Sequence, residues 1–300
     1  MGTSSSYPGP TGRTTLLPPW ADDVDVGPED DSPAGEDVPG ESTEAAPTPT
    51  DDQDAAEPGV PPSPTSPPPP TMTWRTPKQA FGRLASGVGT RPGGSAFRRV
   101  GRTYVAASGG SRTAAQSARA GRATTRGLGE FLADGIRNGF RAAAERLGVG
   151  HLVGLDAQTA LVAFVDLLAP DGALLEEAVA RSALIETLSE VFDQYGVDAQ
   201  GLDALDRLGP ADLEAIITRS IVNYVNGRIQ HELVNRLERE AIPEADANRL
   251  LAEMKDFIGG LARLDFAGVD LVALDWRGSD GQRLVGRLFE SAYALLGEEA

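Results

Sequence analysis

The chain has no cysteine and only two histidines, His151 and His231. No disulfide framework and no thiolate metal site can form, a His-rich metal centre is excluded, and a reducing cytoplasm is the expected compartment. A carboxylate-only magnesium site needs no histidine, but no spacing of acids points to one. No run of about 18 apolar residues occurs, and no basic start leads into an apolar stretch, which argues against a membrane span and against a secretory signal. Nucleophile elbow, Walker lysine and kinase signature are all missing. The expectation is a protein that is not an enzyme and carries no cofactor or metal. Long β-type alternation is also missing, so the fold class expected is all-α.

What is present is arranged in blocks. The first 73 residues hold 17 of the 22 prolines and few apolar side chains, too little to offset chain entropy. Residues 1–20 carry only Arg13; residues 21–73 carry 14 acids and no base; residues 74–126 carry 11 bases and no acid. Acids outnumber bases again beyond 126, and the net charge is −17. Three regions follow: a flexible recognition or modification segment at 1–20, a disordered acidic Pro-rich linker at 21–73, and a helical domain at 74–300 whose 74–126 portion is basic.

Within residues 1–20, small polar residues are followed by Pro8, Gly9, Pro10 and Gly12, which prevent a helix. Gly2 is small enough for Met1 to be removed, leaving an unhindered amine. Leu16, Leu17 and Trp20 form an apolar knot stiffened by Pro18-Pro19, a pattern suited to a partner's groove. Met1-Gly2-x-x-x-Ser6 also fits the N-myristoylation pattern, a mainly eukaryotic modification that the bacterial-looking composition disfavours. The opening MGTSSSYPGP, then LLPPWADD, resembles the amino terminus of the QatB family, components of the four-gene Qat anti-phage defence system. Tyr104-Val105-Ala106-Ala107-Ser108-Gly109-Gly110-Ser111 adds a second point of similarity. The resemblance implies three partners: an ATPase, a QueC-like enzyme and a TatD-like nuclease. It implies no assigned activity for the chain itself.

The basic region interleaves Arg91, Arg98, Arg99, Arg102, Arg112, Arg119 and Arg122 with Trp74, Phe81, Phe97 and Tyr104. That pattern fits a face neutralised by the acidic linker or docked by an acidic partner first, a nucleic-acid surface next, and plain solvation last. Gly93-Gly94-Ser95 and Gly109-Gly110-Ser111 each precede helical stretches, with Ser95 and Ser111 as expected caps. Free N–H groups there can hold anions, but the spacing matches neither a P-loop nor a dinucleotide fingerprint.

Periodicity beyond this predicts an irregular multi-helix bundle. A helix with Phe131, Leu132, Ile136, Phe140 and Leu147 on one face runs to Gly148. Asp156 caps the next, Ala173 to Tyr195 forms a long one, and Pro210 opens the longest, to about Ala241, placed centrally. Pro243 opens another that stops at Gly259-Gly260; Leu264 to Trp276 is irregular; a closing helix spans about Gly281 to Leu296. Glu176-Glu177, and Asp265 with Asp270 or Asp275, have the composition of an acid–base dyad, but such residues more often form the wet face of a helix. The favoured function is a non-catalytic subunit of a defence complex that docks partners and offers Gly2 to the QueC-like protein. The alternative is a nucleic-acid-binding or scaffold protein acting through residues 74–126.

Overall fold

The computed structural model describes residues 73–87, 93–152, 156–233 and 242–298. Gly2, the Leu16, Leu17, Pro18, Pro19 and Trp20 motif, the acidic stretch to residue 72, and Arg91 lie outside the described residues. Among the described residues every regular element is a helix and no strand occurs, as the periodicity predicts.

The helices are α1 (Arg75–Ala85), α2 (Gly94–Ala107), α3 (Ser111–Ser117), α4 (Arg119–Asn138), α5 (Phe140–Arg146), α6 (Ala157–Leu168), α7 (Leu175–Tyr195), α8 (Val197–Gln200), α9 (Pro210–Leu233), α10 (Glu244–Leu261) and α11 (Ser279–Gly297). Pro210 opens α9 at a position where its missing N–H costs no hydrogen bond. Leu213, Ile216, Ile217, Ile221, Tyr224, Val225, Ile229 and Leu233 of α9 are buried, and so are Ser220, Asn223 and Asn226 on its other sides. A helix buried nearly all round must be wrapped by others, and α9 packs against α1, α4, α7, α10 and α11. Each such leucine or isoleucine contributes about 1.5–3 kcal/mol of burial. A second centre of the core is aromatic: Phe131 lies 4.6 Å from Phe164 and 5.5 Å from Phe140 between ring centroids.

Glycine sets two close approaches. A Cβ on Gly121 would come within 2.5 Å of the Tyr224 ring, and one on Gly129 would strike the buried indole of Trp276. Trp276 holds the irregular segment between α10 and α11 against α4, its indole N–H donating to the Leu271 carbonyl at 3.0 Å.

Several local expectations change. The helix expected to run to Gly148 breaks at Gly139, whose φ of +86° is the left-handed side that glycine adopts readily, so α4 and α5 turn on each other and Phe140 packs on Gly135. Ser95 and Ser111 do not cap: Gly93 and Gly110 occupy the cap positions, and the two serines sit inside the first turns of α2 and α3. Gly259-Gly260 fails to stop α10, which continues to Leu261. The last stretch of the helix expected to reach Ala241 falls on residues 234–241, outside the described residues. Asp156 does cap α6, accepting from the Thr159 N–H at 2.9 Å.

Candidate functional site

Three features of the helical body have the chemistry to bind something. The first is the basic face. Arg75, Lys78 and Arg83 project from α1, Arg99 from α2, Arg112 from α3 and Arg119 from α4, all exposed, and among the described residues none of them takes part in an ion pair. Arg83 and Arg99 share one cleft of about 150 Å³ between α1 and α2, with Thr76, Gln79 and Thr103. The candidate arginines do not act alike. Arg98 stacks over Phe257 of α10 at 5.8 Å. Arg122 turns its guanidinium back onto the carbonyls of Ala118 and Gln116. Arg102 is exposed on α2. Bases later in the chain behave otherwise, as Arg146 with Asp134, Arg219 with Glu190, and Lys255 with Glu186 and Glu190 show.

The second feature is a groove of about 620 Å³ between α7, α9 and α10. Asn223, Asn226 and Gln230 recur along one side of α9 at helical spacing, opposite Ser182 and Glu186 of α7 and Lys255 of α10. The Thr187 hydroxyl donates to the Ala183 carbonyl at 2.7 Å and accepts from the Asn223 amide at 3.1 Å. That exchange fixes which end of Asn223 faces Thr187. The side-chain oxygens of Asn223 and Asn226 have no partner among the described residues. His231 stands exposed at the rim while Tyr224, seven residues earlier, is buried. The third feature is apolar. Val162 and Leu167 of α6, and Leu174 and Leu175 at the start of α7, are exposed by 50, 44, 66 and 51 %. Four large side chains this open around one helix connection are the kind of surface that partners cover.

The carboxylates of the supposed dyads are spent on structure. Glu176 accepts from the N–H groups of Ala120 and Gly121 at 2.9 and 3.1 Å, and from the Tyr224 hydroxyl at 2.5 Å. It stands in the first turn of α7 and caps the first turn of α4, so one carboxylate serves two helix N-termini. Arg228 donates to the Tyr224 oxygen at 3.3 Å. Burial, then the bond to Glu176, pushes the Tyr224 phenol well above its usual value, and burial pushes Tyr104 up to about 12. Glu177 accepts from the Leu174 N–H at the start of α7. Asp265, Asp270 and Asp275 each accept from a backbone N–H two or three residues on. Among the described residues no group of three or more metal-ligating side chains comes together, and no helix is long and apolar enough to cross a membrane.

Sequence reasoning marked the arginines and missed the groove and the Glu176 clasp. Glu176 meets Tyr224 and Gly121 across 48 and 55 residues, a distance that helical periodicity does not see. Asn223 and Asn226 carried a weak signal, as two amides within an otherwise apolar helix.

Compared with known proteins, residues 109–296 match the family model described as "Qat anti-phage system associated protein QatB". No curated protein and no solved structure matches the chain.

Proposed function

The chain belongs to the QatB family, a component of the Qat anti-phage system, and from that membership we propose that it serves as a docking subunit which offers its own amino terminus to a partner enzyme. The family match is the observation that carries the reading, because it covers α3 to α11 and with them the groove and the apolar α6–α7 patch. The helical body holds partners, and residues 1–20 carry the Gly2 that is offered to the enzyme. The partners proposed are the ATPase, the QueC-like enzyme and the TatD-like nuclease that the family resemblance implies.

The chemistry fits the amine. A QueC-like enzyme uses ATP to activate a 7-deazaguanine carboxylate, and an amine that attacks the activated carbonyl forms an amide as the nucleotide leaves. Unperturbed α-amino groups titrate near pH 8, which leaves roughly a fifth neutral and nucleophilic at pH 7.4, and glycine places no side chain in the path of attack. The test is intact-mass analysis of the chain expressed with and without the QueC-like partner, followed by mapping of the amino-terminal peptide. A mass gain on Gly2 only in the co-expressed sample is the expected result. An unmodified Gly2 in both samples overturns the presentation step.

A further inference from the structure

We infer that the groove along α9 seats an extended peptide segment of a partner protein, held through its main chain by Asn223 and Asn226; this rests on the docking role proposed above and specifies what the docking recognises. The groove does not end with the Asn226 chamber. A second chamber, also of about 620 Å³, lies between the same three helices and is lined by Ala211, Ala215 and Thr218 of α9, Glu190 of α7 and Gly259 of α10. Asn223 and Lys255 line both chambers, so the two join into one trough along α9 from Ala211 to His231. That stretch of helix measures about 30 Å at about 1.5 Å per residue, the length of about nine residues of extended chain. Lys255 bars the middle, reaching from α10 to Glu186 and Glu190 of α7 at 2.6 and 3.1 Å. The pair is more open to solvent than Asn223. Ion pairs this exposed are weak, so a segment lying in both chambers can displace it.

The floor of the trough calls for a hydrogen-bond donor. Asn223 and Asn226 are only 2 and 4 % exposed, and each has a side-chain oxygen without a partner among the described residues. A buried acceptor left unpaired is costly, and a donor brought by a ligand removes that cost. Residues three apart on a helix stand about 5–6 Å from each other at Cβ. Main-chain N–H groups on one edge of an extended segment recur every second residue, about 6.6–6.8 Å, a difference that the swing of an amide side chain takes up. A peptide group also offers a carbonyl, so an asparagine amide can meet it with both ends. The first chamber is walled by Ala178, Ala183, Gly227 and Ala252, small residues that let a main chain come close. Nucleic acid fits less well: among the described residues no Phe, Tyr or Trp lines the Asn226 chamber for a base to stack on. Lys255 and Arg219 are already paired with Glu186 and Glu190, which leaves Arg263 against Glu214 and Asp256 and no net attraction for phosphate.

Labelled fifteen-residue peptides tiling the ATPase, the QueC-like enzyme and the TatD-like nuclease are titrated with the full-length chain and read by fluorescence polarisation. At least one should bind. N-methylation of one alternate set of its main-chain nitrogens, which removes donors and keeps every side chain, should weaken it at least about tenfold, the size of one net hydrogen bond; methylation of the other set should do far less. Asn226→Leu should weaken the unmodified peptide as much, yet unfold at or above the wild-type midpoint, because an apolar group of similar size replaces a buried amide whose oxygen lacks a partner. Ala252→Arg and Ala215→Arg, at exposed positions in the first and second chambers, should each block the peptide. A peptide that keeps its affinity in Asn226→Leu and in both arginine variants binds elsewhere and overturns the inference, as does the failure of every peptide. In either case intact partners that still co-purify with the chain leave the docking role standing. A single-stranded oligonucleotide, or a second copy of the chain in light scattering, whose binding Asn226→Leu abolishes would assign the trough to that occupant and overturn the inference too.

Discussion

At the scale of single residues, Glu176 has the widest reach: one carboxylate closes the first turn of α4, receives the Tyr224 hydroxyl and starts α7. Glu176→Ala leaves two amides and a buried phenol without acceptors, and hydrogen bonds to a charged group are worth about 1.5–3 kcal/mol. The unfolding free energy should drop by that much, read as a lower denaturation midpoint at an unchanged denaturant slope; an unaltered midpoint would show that the clasp adds nothing. Tyr104 provides a pH test. Its phenol is held neutral in the fold up to about 12, chiefly by burial, against the usual 10 in the unfolded chain. Its contribution is therefore complete below pH 10 and is lost as pH rises from 10 towards 12. Melting temperature should stay level to about pH 9 and then fall, more shallowly in Tyr104→Phe; identical alkaline profiles for the two proteins would contradict the assignment. What the chain revealed at this scale was local. Asp156 announced itself as a cap because its acceptor role is completed three residues on, whereas Glu176 looked like solvated surface because its partners come from other helices.

At the scale of elements, the helical pattern of α4, α6, α7, α9 and α11 was legible from apolar spacing, and the ends were not. Gly139 broke a helix that periodicity carried through, since a glycine at positive φ reverses the chain while the apolar residues on either side stay in phase. Gly259-Gly260 looked like a stop and was not, because α10 simply continues through both residues to Leu261. Gly129 shows the opposite case, a helical glycine needed for packing. Gly129→Ala puts a methyl group into the Trp276 ring and forces α4 away from the segment before α11. Overpacking of this kind costs about 1–3 kcal/mol despite the gain in helix propensity. Thermal unfolding should register the loss; a variant as stable as wild type would mean that Trp276 is free to move aside.

At the scale of the molecule, composition divided the chain by charge and apolar periodicity marked the body as helical. The surfaces of that body needed the fold. The groove joins Ser182, Asn223 and Lys255 from three helices, and the exposed patch appears only when Val162, Leu167, Leu174 and Leu175 fail to find the core. Both belong to the part of the chain that matches the QatB family, and the account makes them the places where the defence system's other proteins attach. Co-purification of the full-length chain with those proteins tests this most directly, comparing wild type with Leu174→Glu/Leu175→Glu and with Ser182→Arg, all three positions being exposed in the isolated chain. The account predicts a normally folded subunit that loses at least one partner, with a tenfold or greater drop in affinity, in one or both variants. Undiminished capture of every partner by both variants would contradict it.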